Sequence, residues 1–329
     1  MMNIIKAKDV IEQAAARMIL HGQNGEMDLM PLVPKTRIPS DMSVSRSLRK
    51  NAEFPAGRVL SITTNEPVKI RVCYKKRRNL TNMDGKATSG IDVYRKKDGT
   101  YEHLETIYPD RKNAMYAEAY IEESGELHLM LPSYASLDHL FISSGNPVPC
   151  PHGSKGKRVV CYGSSITQGC AASRPGKSYV NMLYLDGYDT LNYGFSESAK
   201  GEPEIIKHIA KEYADIYILE YDHNASVKEL RESHLNTYRI IREFNPDSMI
   251  IFLSRISGGI SISEAEERER IAIIEATIRT ANEEGDRNTY FICGTTEKAK
   301  RYLQDDRHPN DSGMELIKRR ITNCVRENT

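Results

Sequence analysis

The chain has no tryptophan, and no stretch approaches the roughly 18 uninterrupted apolar residues that a membrane-spanning helix requires. Neither charge sign is in excess. Lys and Arg number 46 against 45 Asp and Glu, for a formal net charge of +1. No global field therefore draws the chain to nucleic acid or an anionic membrane, and neither is expected as a partner. The one local basic cluster, Lys75, Lys76, Arg77 and Arg78, has no interleaved aromatic residues and reads as a solvated turn. The six cysteines (Cys73, Cys150, Cys161, Cys170, Cys293 and Cys324) contain no CxxC pair. That spacing speaks against a disulfide framework or a zinc site and suits reduced thiols in a cytoplasmic protein. Met1 to Val10 lacks a long apolar core and carries Lys6, Lys8 and Asp9, so no signal peptide is expected there. The glycosylation sequons at Asn79 and Asn224 are then without consequence. No metal or cofactor is expected.

What is present is an ordinary globular composition, 39% hydrophobic and 28% charged, over 329 residues. Single cores rarely grow beyond roughly 250–300 residues, so two domains are expected. Two textures meet near residue 150. In the first half, Arg58–Thr64, Val68–Tyr74, Gly90–Tyr94 and Glu126–Leu131 alternate apolar and polar residues and favour β-branched ones. Asp98-Gly99 supplies a hairpin turn before Tyr101. This predicts an antiparallel, jelly-roll-like β-sandwich over residues 1–150, preceded by a helix from Asp9 to Leu20. Asn146 to Gly153, rich in proline and glycine, reads as a linker. Over residues 151–329, buried-type runs at Val159–Tyr162, Asp189–Tyr193, Ile216–Leu219, Met249–Leu253 and Thr289–Ile292 alternate with helical stretches. That pattern predicts an α/β domain, a five-stranded parallel sheet with helices on both faces.

In such a sheet ligands bind beyond the carboxyl ends of the strands. Three runs are followed there by Gly163-Ser-Ser-Ile-Thr-Gln-Gly169, Gly194-Phe-Ser-Glu-Ser198 and Glu220-Tyr-Asp-His-Asn224, and Asp305-Asp-Arg-His-Pro-Asn310 precedes the last helix. The first of these lacks the Gly-Lys-Ser/Thr ending of a phosphate loop and the three spaced glycines of a dinucleotide fingerprint. Serines, carboxylates, a histidine and an asparagine instead converge on one edge. A serine hydroxyl becomes nucleophilic when an imidazole takes its proton, and a carboxylate orients that imidazole. The tetrahedral oxyanion needs fixed donors, worth roughly 3–4 kcal/mol each. Asp305 and His308 can both face one serine, Asn224 offers a side-chain NH2, and Gly194 opens a loop with backbone N–H groups.

These four blocks, in order, resemble the SGNH or GDSL-type serine hydrolases, whose domain is a flavodoxin-like sheet and whose triad works without metal. The resemblance makes Ser165 the nucleophile and first oxyanion donor, Asp305 and His308 the rest of the triad, and Asn224 the side-chain donor. Two positions depart from the pattern: Ser164 stands in place of the usual acidic residue, and Glu197 in place of the second block's oxyanion glycine. The whole chain resembles a narrower group in which a β-sandwich precedes the hydrolase domain, some members acting on acylated sugars or transferring acyl groups.

Plainer roles compete for several of these residues. Ser165 and Asn224 could cap helices. Asp306 competes with Asp305 as the acid. His223 is turned to the other face by alternation and reads as structural. Arg255 reads as a surface or interdomain ion-pair residue rather than a substrate contact, and Glu264 to Glu269 as a solvated helix face. The favoured function is hydrolysis of a short acyl ester, such as an acetylated carbohydrate, through an acyl-Ser165 intermediate. The rivals are a non-catalytic carbohydrate-binding protein, which the lack of Trp disfavours although 18 Tyr could substitute, and an acyltransferase to a sugar hydroxyl. The oligomeric state is left open.

Overall fold

The computed structural model describes residues 26–143, 148–150, 156–256, 262–294 and 300–329. The helix expected from Asp9 to Leu20 lies outside them, as does most of the expected linker.

The first half packs two antiparallel sheets face to face. One orders β1 (Glu26–Asp28), β8 (Ala135–Ser143), β3 (Val68–Arg77) and β6 (Tyr116–Ile121). The other orders β5 (Thr100–Ile107), β4 (Ile91–Lys97), β7 (Gly125–Met130), β2 (Val59–Thr64) and β9 (Val148–Pro149). Alternation decides which side chains meet between them. Val68, Ile70, Val72 and Tyr74 point inward from β3, against Ile62, Val93, Leu127 and Leu129 of the facing sheet. Asp98 and Gly99 both take positive φ, 50° and 78°, as a two-residue primed hairpin turn requires. Two expectations are corrected here. Lys75 to Arg77 are the end of β3 rather than a turn, with Arg77 donating to the Ala114 carbonyl (2.5 Å). Val148 and Pro149, inside the expected linker, pair with Thr63 and Ile62.

The second half is a five-stranded parallel sheet in the order β11 (Asp189–Gly194), β10 (Arg158–Gly163), β12 (Ile216–Glu220), β13 (Met249–Leu253), β14 (Thr289–Ile292). That is the flavodoxin-like order, with its switch point between β10 and β12. Every residue of β12 and β13 is buried, because helices cover both faces, and this is why the sequence shows continuous apolar runs there. On one face Val160, Tyr217 and Phe252 meet α5 (Pro203–Ala210), α6 (Val227–Phe244) and α7 (Glu264–Glu283). On the other, Val159, Ile218 and Ile251 meet α4 (Tyr179–Leu185) and α8 (Asp311–Glu327). Among the described residues, no helix is long and apolar enough to cross a membrane.

A buried carboxylate ties the halves together. Asp92 is 0% exposed and accepts from Thr106 Oγ1 (2.7 Å), Arg174 Nη1 (2.6 Å) and the Gly176 N–H (2.7 Å). Arg174 also donates to Tyr94 Oη (2.7 Å). The Gly90-Ile-Asp-Val-Tyr94 strand thus grips the 174–176 loop of the parallel-sheet half, charge against charge in a dry interface.

Candidate active site

Strand β10 ends at Gly163, where a Cβ would collide with Thr167 and the Glu220 backbone. The chain then turns into a one-turn helix, α3 (Ser165–Gln168), closed by Gly169 at φ 103°. Its N-cap is Ser164, whose Oγ accepts from the Ile166 N–H (3.1 Å). Capping is therefore the work of Ser164, and the Ser165 hydroxyl is spared for another partner. Ser165 Oγ stands 2.9 Å from His308 Nε2.

His308 belongs to the loop before α8. That loop is closed by a bridge between Leu303 and Pro309, and the Gln304 N–H donates to the His308 carbonyl (2.9 Å). On the far side of the imidazole, Nδ1 lies 2.9 Å from Asp305 Oδ2 and 3.1 Å from Oδ1. Oδ1 also accepts the backbone N–H groups of Arg307 (2.7 Å) and His308 (2.8 Å), and Oδ2 accepts from Asn82 Nδ2 (2.8 Å). A carboxylate facing Nδ1 fixes the proton there and leaves the Nε2 lone pair toward the Ser165 hydroxyl. Burial alone would raise the Asp305 pKa, but the hydrogen bonds from the His308 side chain and from the His308 and Arg307 backbone prevail and hold it near 2. Burial works against the His308 cation too. Hydrogen bonding to Cys170 and then to Asp305 outweighs it, lifting the imidazole to about 9. Asp306 is exposed, and among the described residues the carboxylate paired with His308 is that of Asp305.

The groups expected to bind an oxyanion have separate fates. Neither the Ser165 nor the Glu197 N–H donates to a protein acceptor among the described residues. Glu197 adopts φ 58°, the left-handed conformation that glycine takes easily, and its side chain is exposed. Asn224 Nδ2 lies 3.4 Å from the Phe195 carbonyl. Asn224 is not a helix cap: Ser226 caps α6 in a reciprocal box with Glu229. The expectation for Gly194 is corrected. It is the last residue of β11, its N–H is consumed by Asn192 Oδ1 (2.8 Å), and a Cβ there would strike the Gln168 backbone. Its role is close packing.

Arg255 is also corrected. It is 8% exposed rather than superficial, its guanidinium pKa lowered by burial against the opposing charge of Asp222. His223 is internal, 3.4 Å from Asp222, and burial pushes its pKa down to about 4. Within the expected solvated face of α7, Glu267 is buried.

Two supporting residues carried no signal of their own in the sequence. Glu220, at the end of β12, is 1% exposed and accepts from the Ser164 N–H (3.1 Å), Ser164 Oγ (2.7 Å) and Thr167 Oγ1 (2.9 Å). It brings a carboxylate to the turn where Ser164 departs from the acidic pattern. Gln168 accepts from the Ser196 N–H (2.8 Å) and donates to the Ser133 carbonyl (2.9 Å), so it holds the loop before Glu197.

Comparison with known proteins identifies the family. Residues 156–325 match the GDSL-like lipase/acylhydrolase family, and residues 33–146 match the N-terminal region of SGNH-hydrolase-type esterases. The chain belongs to the GDSL-like lipase/acylhydrolase family. Among solved structures, it is similar to a protein described as a GDSL-like lipase from Bacteroides ovatus, with 26% identity over 87% of this chain and 88% of that one, at a TM-score of 0.76. It shares its fold with the salicylyl-acyltransferase SsfX3 of a tetracycline biosynthetic pathway, at 17% identity, 91% and 89% coverage and a TM-score of 0.68. It also shares it with a family two carbohydrate esterase from Clostridium thermocellum, solved with cellohexaose, at 14% identity, 82% and 91% coverage and a TM-score of 0.58. Among curated proteins, none matches the sequence significantly.

Proposed function

We propose that this protein is a serine esterase that cleaves short acyl esters of a carbohydrate or similar polyol through an acyl-Ser165 intermediate. The observation that carries the reading is the continuous hydrogen-bonded line Ser165 Oγ–His308 Nε2 (2.9 Å) and His308 Nδ1–Asp305 Oδ2 (2.9 Å) at the carboxyl edge of the parallel sheet. Ser165 Oγ attacks the ester carbonyl as its proton passes to His308 Nε2, and the carbonyl electron pair moves onto oxygen. The oxyanion is held by the N–H groups of Ser165 and Glu197 and by the Asn224 side chain. Collapse breaks the bond to the alcohol, which leaves with the proton from His308. Water, activated by the same imidazole, then releases the acid and restores Ser165. A sugar hydroxyl in place of that water would make the reaction a transfer.

The choice of a short acyl group on a polyol is supported by the fold shared with a carbohydrate esterase. The exposed Glu197 carboxylate suits hydroxyl-rich rather than anionic substrates. The test is turnover of p-nitrophenyl acetate by wild type and Ser165→Ala, followed by a series of longer acyl chains and by acetylated sugars. Wild type should turn over and release one burst equivalent per site, and the variant should lose at least about a thousandfold. Retained turnover in Ser165→Ala would refute the assignment.

A further inference from the structure

We infer that Asn82, contributed by the antiparallel-sheet half, is a positioning residue of the reaction: it holds the Asp305 carboxylate in line with His308, so the catalytic set is complete only when the two halves are docked. The inference rests on Ser165, His308 and Asp305 being the reacting set.

Asn82 occupies a tight turn in which the Met83 N–H reaches the Leu80 carbonyl (3.4 Å). The flanking Leu80 and Met83 pack on a cluster of Phe54 and Tyr134 from their own half with Cys170 and Ala171 from the other. On the C-terminal side Asp84 caps a short helix, α2 (Gly85–Ser89), by accepting from the Ala87 N–H (2.8 Å). Anchored on both sides, the turn sets the Asn82 amide against the end of the His308 loop. Nδ2 donates to Asp305 Oδ2 at 2.8 Å and lies 3.3 Å from His308 Nδ1 and 3.5 Å from Cys170 Sγ. The orientation follows from the partner, because the amide oxygen turned toward a carboxylate would repel it.

The chemistry explains why a neutral donor suits this position. Asp305 Oδ1 is fixed by two backbone N–H groups of its own loop, whereas Oδ2, the oxygen closest to His308 Nδ1, has Asn82 as its other donor. Without that donor Oδ2 keeps only the imidazole as a partner, so the plane of the carboxylate is held less firmly and the restraint that aims Nε2 at Ser165 weakens. A cation here would draw the carboxylate's charge away from the imidazolium, and an anion would overstabilise it. The ionisable groups acting on His308 are Asp305 on its own loop and Cys170 on the turn after α3; the 80–83 turn brings only the neutral amide.

The experiment uses the full chain and p-nitrophenyl acetate, with Ser165→Ala alongside. Asn82→Ala should lower kcat by about tenfold to a hundredfold, the range for a lost hydrogen bond to a charged group, with little change in KM. Asn82→Asp keeps the shape but adds an ionisable carboxylate beside Asp305 and His308. It should move the acid limb of the kcat/KM profile up by roughly half a pH unit or more. Unchanged kcat in both variants would overturn the inference. So would loss of kcat with the acid limb of Asn82→Asp unmoved, because that pattern describes packing alone. Ser165→Ala separates the two failures: if it stays active the nucleophile is wrong, and if it is dead while both Asn82 variants match wild type, only the role of Asn82 falls.

Discussion

Replacing Glu220 by Gln tests the electrostatics behind the nucleophile turn. Glu220 is buried, and burial raises its pKa from 4.5 to about 7 against the opposing effect of the Ser164 and Thr167 hydrogen bonds, with Asp222 adding to the rise. Between those two values the native protein holds a proton that the unfolded chain has released. Stability from this group is therefore complete below about pH 4.5 and is lost as pH rises through about 7. The lost amount is about 3 kcal/mol, at about 1.4 kcal/mol per pH unit between the two values. Glutamine is uncharged and can keep the network. Its oxygen in the place of Oε2 accepts from the Ser164 N–H and Thr167 Oγ1, and its NH2 in the place of Oε1 donates to Ser164 Oγ, which lies 2.8 Å away. Urea denaturation of both proteins from about pH 5 to 8 reads the difference directly, since every other titrating group cancels. Glu220→Gln should gain on wild type by about 3 kcal/mol across that range. A difference constant to within about 1 kcal/mol would refute the reasoning and mean that Glu220 is ionised throughout. Glu220→Ala serves as the contrast, since it strands buried donors at about 1–3 kcal/mol each and should loosen the Ser165 turn.

The remaining predictions concern the reacting groups. Asp305→Asn should lower kcat by at least about a hundredfold, while the exposed Asp306→Asn stays near wild type; equal losses would show that the acid is misassigned. Because the reaction needs neutral His308 and Asp305 raises its pKa, activity should rise with pH through a limb above the ordinary imidazole value. In Asp305→Asn that limb should move to lower pH, as the pH profile of kcat/KM will report. Glu197→Gly should relieve about 1 kcal/mol of left-handed strain and leave turnover of a small neutral ester intact, measured by thermal denaturation and p-nitrophenyl acetate assay. A loss beyond about a hundredfold on every ester, with folding preserved, would assign Glu197 a direct part in the chemistry.

The sequence by itself determined the elements and their architecture. Strands covered on both faces must be apolar throughout, and strands with one wet face must alternate, so Ile216–Leu219 and Val68–Tyr74 announce different sheets from local composition alone. Strand–helix alternation then sends the loops after β10, β11 and β12, which carry Ser165, Glu197 and Asn224, to one edge of the sheet. Contacts between remote segments were decided only by tertiary structure. Whether Ser164 or Ser165 caps α3, and whether the Gly194 N–H is free or consumed, turn on backbone geometry that no periodicity encodes. The carboxylate of Glu220 reaches Ser164 from 56 residues away, and the amide of Asn82 reaches Asp305 across 223. The first pair forms because β10 and β12 are neighbours in the parallel sheet. The second forms because Asp92, Arg174 and the Leu80–Met83 turn lock two separately built cores together, and that hydrogen bond exists only at the angle and distance that this docking sets.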